Sequence, residues 1–297
     1  MLIWKGKIYL AFLFQKPMKN LLKNTLIVFL LIFSLFDSPI IFAQRTNRPN
    51  AKNAEIERKI NALLAKMTLA EKLGQLQQLD GEANGNYRPE HLELARKGLL
   101  GSTLNVRGAK MTNELQRAAM ESRLKIPILF GFDVIHGYRT IFPVPLGEAA
   151  SWDLASMEKT AAIAAAESKA AGVHWTFAPM VDVARDPRWG RIIEGAGEDT
   201  FLGSKIAYAR VRGFQGDDYS AKNKVMATAK HWVGYGAAEA GRDYNTTNLT
   251  ERDLRETYFP PFKAAIDAGV GSFMTSFNDI DGIPATANQF ILKKVLR

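Results

Sequence analysis

The chain has 297 residues, 47% of them hydrophobic, enough for one large domain or two small ones and too apolar for a disordered polymer. Its net charge of +9 falls to about +5 once the five lysines and one aspartate of residues 1–43 are set aside, and no Lys/Arg cluster remains to suggest a nucleic-acid partner. With no cysteine, disulfides, a thiolate nucleophile and an iron–sulfur cluster are excluded.

Residues 19–44 combine a basic start, an apolar run from Leu26 to Phe36, and Ile41-Phe42-Ala43 before Gln44. This is the layout of a secretory signal cleaved after a small residue. The run is short for a bilayer span and is followed by Pro39. The expectation is a signal cleaved near Ala43, with Met18 as the start and residues 1–17 as an upstream extension. The mature chain then has no stable membrane span and is periplasmic or secreted, and the lack of cysteine suits a bacterial periplasm.

Residues 44–53 are polar and are expected to form a linker before the main domain, residues 54–297. Ile56, Ile60, Leu63, Leu64 and Met67 recur at helical spacing, and Thr68-Leu69-Ala70-Glu71 is a capping box opening a second helix. Strands are expected over residues 75–79 and 99–106, a helix over 111–124, and a strand over 126–134 that delivers Asp133. An alanine-rich helix over 153–171 precedes a strand over 173–181. After the loop 182–199 come a helix over 202–214 and a strand over 224–233 carrying Lys230 and His231. Asn248-Leu249-Thr250 caps a helix from Glu251, which Pro260-Pro261 interrupts. Residues 271–277 make a sixth strand, and an apolar segment, 290–296, closes the chain.

The loop from Asp182 to Asp199 holds the densest chemistry. Arg185, Arg188 and Arg191 alternate with Asp182, Asp186, Glu194, Glu198 and Asp199 around Trp189. Planar hydrogen-bonding groups beside an aromatic face suit a polar ligand such as a sugar; an ion-pair network that only fixes the loop fits the same residues. Trp189 is expected to pack in the interior, Glu194 and Glu198 to pair with the loop arginines, His136 and His174 to be structural, and His91 to lie on the surface.

Strand–helix alternation without a nucleotide fingerprint argues for a parallel sheet. Asp133, Asp182, Lys230-His231 and Asn278-Asp279 each end a different candidate strand. Closed barrels place site groups in this way, whereas an open doubly wound sheet gathers them at one switch point. The expected fold is α/β, a parallel (β/α) barrel that is incomplete, with about six of eight strands present. Gly234-Tyr235-Gly236 lacks a third glycine until Gly241, so no phosphate cradle is expected. The four histidines show no ligand spacing with carboxylates, so no metal and no cofactor are expected.

Four segments share one pattern: Phe130 to Gly137 (Phe-Gly-Phe-Asp-Val-Ile-His-Gly), Asp186 to Arg191 (Asp-Pro-Arg-Trp-Gly-Arg), Ala229 to Gly234 (Ala-Lys-His-Trp-Val-Gly) and Met274 to Asn278 (Met-Thr-Ser-Phe-Asn). In order and approximate spacing they resemble the amino-terminal barrel of glycoside hydrolase family 3. The continuation from Tyr138 to Asp153 is most similar to the periplasmic beta-glucosidases of that family. The resemblance implies that Asp133, Arg191, Lys230 and His231 hydrogen-bond the hydroxyls of the sugar next to the scissile bond of a beta-linked oligosaccharide or glucoside. Their chemistry suits this, since carboxylates accept, ammonium and guanidinium groups donate, and imidazole does either.

The resemblance further implies retaining hydrolysis of terminal non-reducing beta-D-glucosyl residues, which needs two carboxyl groups about 5 Å apart. The family's nucleophilic Asp follows a seventh strand and its acid/base Glu comes from a following domain, so both are expected beyond Arg297, with no catalytic residue in this chain and the chain alone inactive. Asp279 and Asp281 lie near the right rim, but Asp281-Gly282 is explained as a turn. The alternatives are a beta-xylosidase of the same family and, if the chain truly ends at Arg297, a non-catalytic carbohydrate-binding product. Relatives acting on beta-linked N-acetylglucosamine carry a further His in the loop after Lys230-His231; residues 234–247 have none.

Overall fold

The structure, a computed structural model, describes residues 51–297. The expected signal, the Met18 start and most of the linker lie outside the described residues. The chain divides into two compact units, residues 1–61 and 62–297. Of the first only the front of helix α1 (Ala51–Leu64) is described, beginning inside the stretch expected as linker; there Glu55 pairs with Arg58 at 2.8 Å and Lys59 at 3.3 Å.

The second unit opens where the sequence places its capping box. Thr68 Oγ1 accepts from the Glu71 N–H at 3.2 Å, the Thr68 N–H donates to Glu71 Oε2 at 2.8 Å, and α2 (Leu69–Gln75) begins there. There follow β1 (Gln78–Asp80), α3 (Pro89–Arg96), β2 (Ser102–Leu104), α4 (Ala109–Glu121), β3 (Leu129–Phe132), the short α5 (Pro145–Ala149), α6 (Leu154–Ala170) and β4 (Trp175–Thr176). The chain continues through α7 (Thr200–Gln215), β5 (Thr228–Trp232), α8 (Glu251–Asp253), α9 (Phe259–Asp267), β6 (Ser272–Thr275) and a hairpin of β7 (Asp279–Ile280) and β8 (Ile283–Pro284).

Strands β1 to β4 pair in parallel in chain order, as do β5 and β6. The backbone beyond β4 joins the two groups: the Thr176 N–H donates to Met226 O at 2.8 Å, the Thr228 N–H to Ala178 O at 2.9 Å, and the Val181 N–H to Lys230 O at 2.8 Å. The six parallel strands therefore follow one another without a reversal, and helices fill each connection. All carboxyl ends point to one rim.

Helices pack closely where side chains are small. A Cβ on Gly213 of α7 would lie 2.3 Å from the Glu158 carbonyl of α6, so only glycine permits this crossing of the alanine-rich helix. On the far side Trp232 of β5 stacks on Phe259 at 5.0 Å and meets Phe262 edge-on at 5.0 Å, joining Val181, Val211 and Ile291 in one buried cluster. Among the described residues no helix is long and apolar enough to cross a membrane.

Two expectations need correction, while the apolar segment 290–296 takes the form of a π-type turn, Phe290–Val295. Pro260-Pro261 does not end the helix: a π-type turn over Leu254–Tyr258 links α8 to α9, so the regular α-helical pattern breaks just before the prolines and resumes with them. His91 is 1% exposed; with Ala95, one helical turn on, it forms the buried face of α3.

Candidate functional site

Asp133 stands one residue past β3, and Lys230 and His231 lie within β5, all five residues of which are buried. Arg191 sits in a single 3-10 turn, Gly190–Glu194, of the loop between β4 and α7. The structure brings all four together. Lys230 Nζ donates to Asp133 Oδ1 at 2.7 Å and lies 3.9 Å from Glu194 Oε2. Arg191 grips Glu194 with both arms of its guanidinium, Nε to Oε1 at 2.6 Å and Nη2 to Oε2 at 3.0 Å, and Nη2 reaches His231 Nε2 at 3.3 Å. Behind the imidazole, Asp182 Oδ2 accepts from His231 Nδ1 at 2.8 Å. One connected set of polar groups thus runs from the end of β3 to the end of β5.

The set is graded in exposure. The side chains of Lys230 and His231 are 3% and 1% exposed, those of Arg191 and Glu194 22% and 23%, and that of Asp133 43%. Burial by itself would raise the pKa of Glu194, but the paired Arg191 outweighs it and holds the carboxyl below its ordinary value. Burial likewise opposes the charge on Arg191, and Glu194 more than offsets it, so the guanidinium stays firmly protonated. An aromatic wall closes the Arg191 side: its guanidinium lies 5.4 Å from the Tyr235 ring centre and 6.0 Å from that of Phe277, while His231 is 5.3 Å from Phe277. The Tyr235 hydroxyl donates to Asp243 Oδ1 at 2.5 Å, and burial together with that carboxylate raises its pKa.

The rest of the charged loop serves the scaffold. Trp189 is fully buried, as packing requires, and its Nε1 donates to Asp243 Oδ1 at 2.9 Å. Arg188 folds onto Asp186 at 2.6 Å, and Asp199 caps α7 by accepting from the Leu202 N–H at 2.6 Å. Glu194 pairs as expected, but Glu198 is exposed and forms no ion pair among the described residues, because its position just before the α7 cap turns it away from the arginines. His136 Nδ1 bonds Phe142 O at 2.9 Å, and His174 Nδ1 accepts from the Phe130 N–H at 3.3 Å, both structural roles. Asp279 accepts from Thr246 Oγ1 at 2.8 Å and from the Gly282 N–H at 2.9 Å, and Asp281 takes a positive φ of 51° at the hairpin turn. Asn278 is buried, bonding Thr247 Oγ1 at 2.9 Å. Among the described residues no group of three or more His, Asp or Glu is placed to hold a metal ion.

Glu194, Tyr235, Phe277 and Asp243 are the groups around the cluster that sequence reasoning did not assign to it, and Asp182, which the sequence marks as a strand-end group, lies behind His231. The arrangement can present charged donors and acceptors at fixed positions to a ligand rich in hydroxyls.

Residues 68–297 match the glycosyl hydrolase family 3 N-terminal domain. The chain is 40% identical over 258 residues to a periplasmic beta-glucosidase of Salmonella typhimurium, covering 86% of this chain and 33% of that protein. It is 38% identical over 208 residues to a beta-xylosidase of Formosa agariphila, covering 66% of this chain and 28% of that one. The crystal structure of a beta-glucosidase from Listeria innocua in complex with glucose superposes with a TM-score of 0.75 at 41% identity, over 81% of this chain and 36% of that chain. The chain thus spans about a third of the length of these curated relatives.

Proposed function

The chain belongs to glycosyl hydrolase family 3 through its N-terminal domain, and on that premise we propose that it is the sugar-holding part of an exported beta-glucosidase. In this reading the six parallel strands belong to a (β/α) barrel of eight, and their carboxyl ends grip the terminal non-reducing beta-D-glucosyl residue of an oligosaccharide or glucoside. Asp133 accepts from the sugar hydroxyls, Lys230 and Arg191 donate to them, and His231 takes part through Nε2. The observation that carries the reading is the continuous set from Asp133 through Lys230 and Glu194 to Arg191 and His231. Export rests on the signal-like layout of residues 19–44 and on the periplasmic relative.

Retaining hydrolysis needs one nucleophilic carboxylate and one protonated carboxyl about 5 Å apart. The carboxylates gathered at this rim are already engaged, Asp133 by Lys230, Glu194 by Arg191 and Asp182 by His231. The family resemblance, with its nucleophilic Asp after a seventh strand and its acid/base Glu in a following domain, leads this reading to place the catalytic pair outside residues 1–297. A xyloside differs from a glucoside by one hydroxymethyl group, and the Formosa agariphila relative keeps a beta-xylosidase as the second reading.

The test is to purify the chain, confirm a cooperative melt, and measure both nitrophenol release from an aryl beta-glucoside and binding of methyl beta-D-glucoside by NMR. The expected result is no release and weak binding that Lys230→Ala abolishes and Arg188→Ala leaves intact. Release that Asp133→Ala removes would overturn the placement of the catalytic pair. Binding indifferent to Lys230→Ala would overturn the sugar site itself.

A further inference from the structure

Helices α6, α7 and α9 enclose a groove of about 680 Å³ that shares no residue with the polar set at the strand ends. Phe201 and Tyr208 stand seven residues apart on α7, on one side of the helix and about 10.5 Å apart along its axis. They are 70% and 45% exposed, and Ala155, Ala209 and Ala264 line the groove without filling it. Each helix also adds one ionised side chain: Glu158 from α6, Lys205 from α7 and Asp267 from α9. Lys205 Nζ lies 5.2 Å from the Phe201 ring centre, a cation–π contact that orders the ring, and Lys263 holds Asp267 at 2.6 Å.

Single exposed apolar residues are ordinary on a protein surface. Two aromatic rings on one helix face, in a groove of ligand size with ionised groups from three helices, call for a molecule with apolar faces and polar edges. A partner helix with an apolar stripe would bury Glu158, Lys205 and Asp267 without matching them, which is costly. A beta-linked glucan matches both kinds of surface. The faces of its glucose rings carry axial C–H bonds, which meet the electron-rich face of an aromatic ring. Its equatorial hydroxyls line the edges, where they donate to carboxylates and accept from an ammonium group. Phe and Tyr side chains lose little rotamer freedom in such stacking.

We infer that the groove between α6, α7 and α9 is a second carbohydrate site, which holds a stretch of beta-linked glucan by stacking on Phe201 and Tyr208 and does no chemistry on it. The ligand class rests on the sugar-holding reading above. A glucan tethered there raises the effective concentration of its chain end at the rim.

The experiment titrates the purified chain with cellotetraose and, separately, laminaritetraose by NMR, with methyl beta-D-glucoside reporting on the rim. In Lys230→Ala, which removes methyl beta-D-glucoside binding, at least one tetraose should still bind. Adding Phe201→Ser and Tyr208→Ser, at exposed positions that leave the fold intact, should weaken that binding about tenfold. The same two substitutions in the unsubstituted chain should leave methyl beta-D-glucoside binding as before. If neither tetraose binds Lys230→Ala, or if the two serines leave tetraose binding unchanged, the inference is overturned and the rim reading stands. Self-association in place of tetraose binding, lost with the two serines, would make the groove a contact between copies and likewise overturn it. Tetraose binding that depends on Phe201 and Tyr208, in a chain that never binds methyl beta-D-glucoside, would support the groove and overturn the rim reading.

Discussion

Asp182 Oδ2 accepts two hydrogen bonds from His231, one from its backbone N–H at 3.0 Å and one from its ring Nδ1 at 2.8 Å. The carboxylate can only accept and the Arg191 guanidinium on the other side can only donate. The imidazole is therefore the neutral tautomer with its proton on Nδ1, and Nε2 is the acceptor that faces Arg191 at 3.3 Å. Both side chains of the pair are 1% exposed, so water cannot replace a lost partner. Asp182→Ala leaves two buried donors unmatched and should destabilise the fold by about 2–4 kcal/mol, read as a lower urea midpoint. Asp182→Asn restores one acceptor and should recover part of the loss; an unchanged midpoint in Asp182→Ala would show that the two hydrogen bonds to His231 are not stabilising contacts.

The Arg191–Glu194 pair tests a different property, recognition by a planar fork. Its side chains are only 22% and 23% exposed, and Glu194 keeps the guanidinium protonated against burial, so the charge at this position has to be kept for the fold. Arg191→Lys keeps the charge but cannot hold Glu194 with two parallel bonds while also reaching His231. Affinity for methyl beta-D-glucoside should fall about tenfold, with the melting temperature nearly unchanged. Equal affinity in an NMR titration would mean that only the charge of Arg191 matters.

How far the sequence carries depends on how local each signal is. Asp133, Lys230 and His231 stand at the ends of apolar runs, so strand periodicity alone marks them as rim residues, and the structure places them there. The groups that brace the aromatic wall beside His231 were not legible. Asp243 lies in a polar loop with nothing to distinguish it, yet it joins Tyr235, eight positions away, to Trp189, 54 positions away. Strands came out shorter than their apolar runs because the chain turns away at residues such as Asn105, with a φ of 67°, while its neighbour Val106 stays buried for packing. Helices α3 and α5 escaped notice because their opening prolines, Pro89 and Pro145, also suit loops. The polar neighbours of His91 pointed it to the surface, and tertiary packing of α3 decided otherwise.

A second buried ion pair lies beneath the loop that follows Asp133. The side chains of Arg210 and Glu148 are 4% and 7% exposed, Arg210 Nη2 donates to Glu148 Oε2, and Nη1 donates to the Ile135 carbonyl at 3.3 Å. Removing one member strands the other charge in the interior. Arg210→Met should cost about 3–5 kcal/mol, and the double variant Arg210→Met, Glu148→Leu should recover most of that loss. Chemical denaturation of the two single variants and the double one gives the coupling directly. Additive losses would show that the two charges do not depend on each other.

Acid should lower the stability of the protein in two pH ranges. Burial lowers the pKa of His91 and of His174 below the ordinary 6.5. The unfolded chain therefore takes up these protons first, so this contribution is fully present above about pH 7 and is lost as pH falls through the folded values. Glu71 acts lower down: the hydrogen bond from Arg123 holds its carboxyl at about 2 instead of 4.5, so its contribution is present above 4.5 and fades between there and about 2. The melting temperature should fall gently from pH ~7 to ~5 and again below pH ~4.5. His174→Gln, which retains an acceptor for the Phe130 N–H, should weaken the first decline, and Glu71→Gln the second. A melting temperature that rises as pH drops from ~7 to ~5 would contradict the neutral state of the two buried histidines.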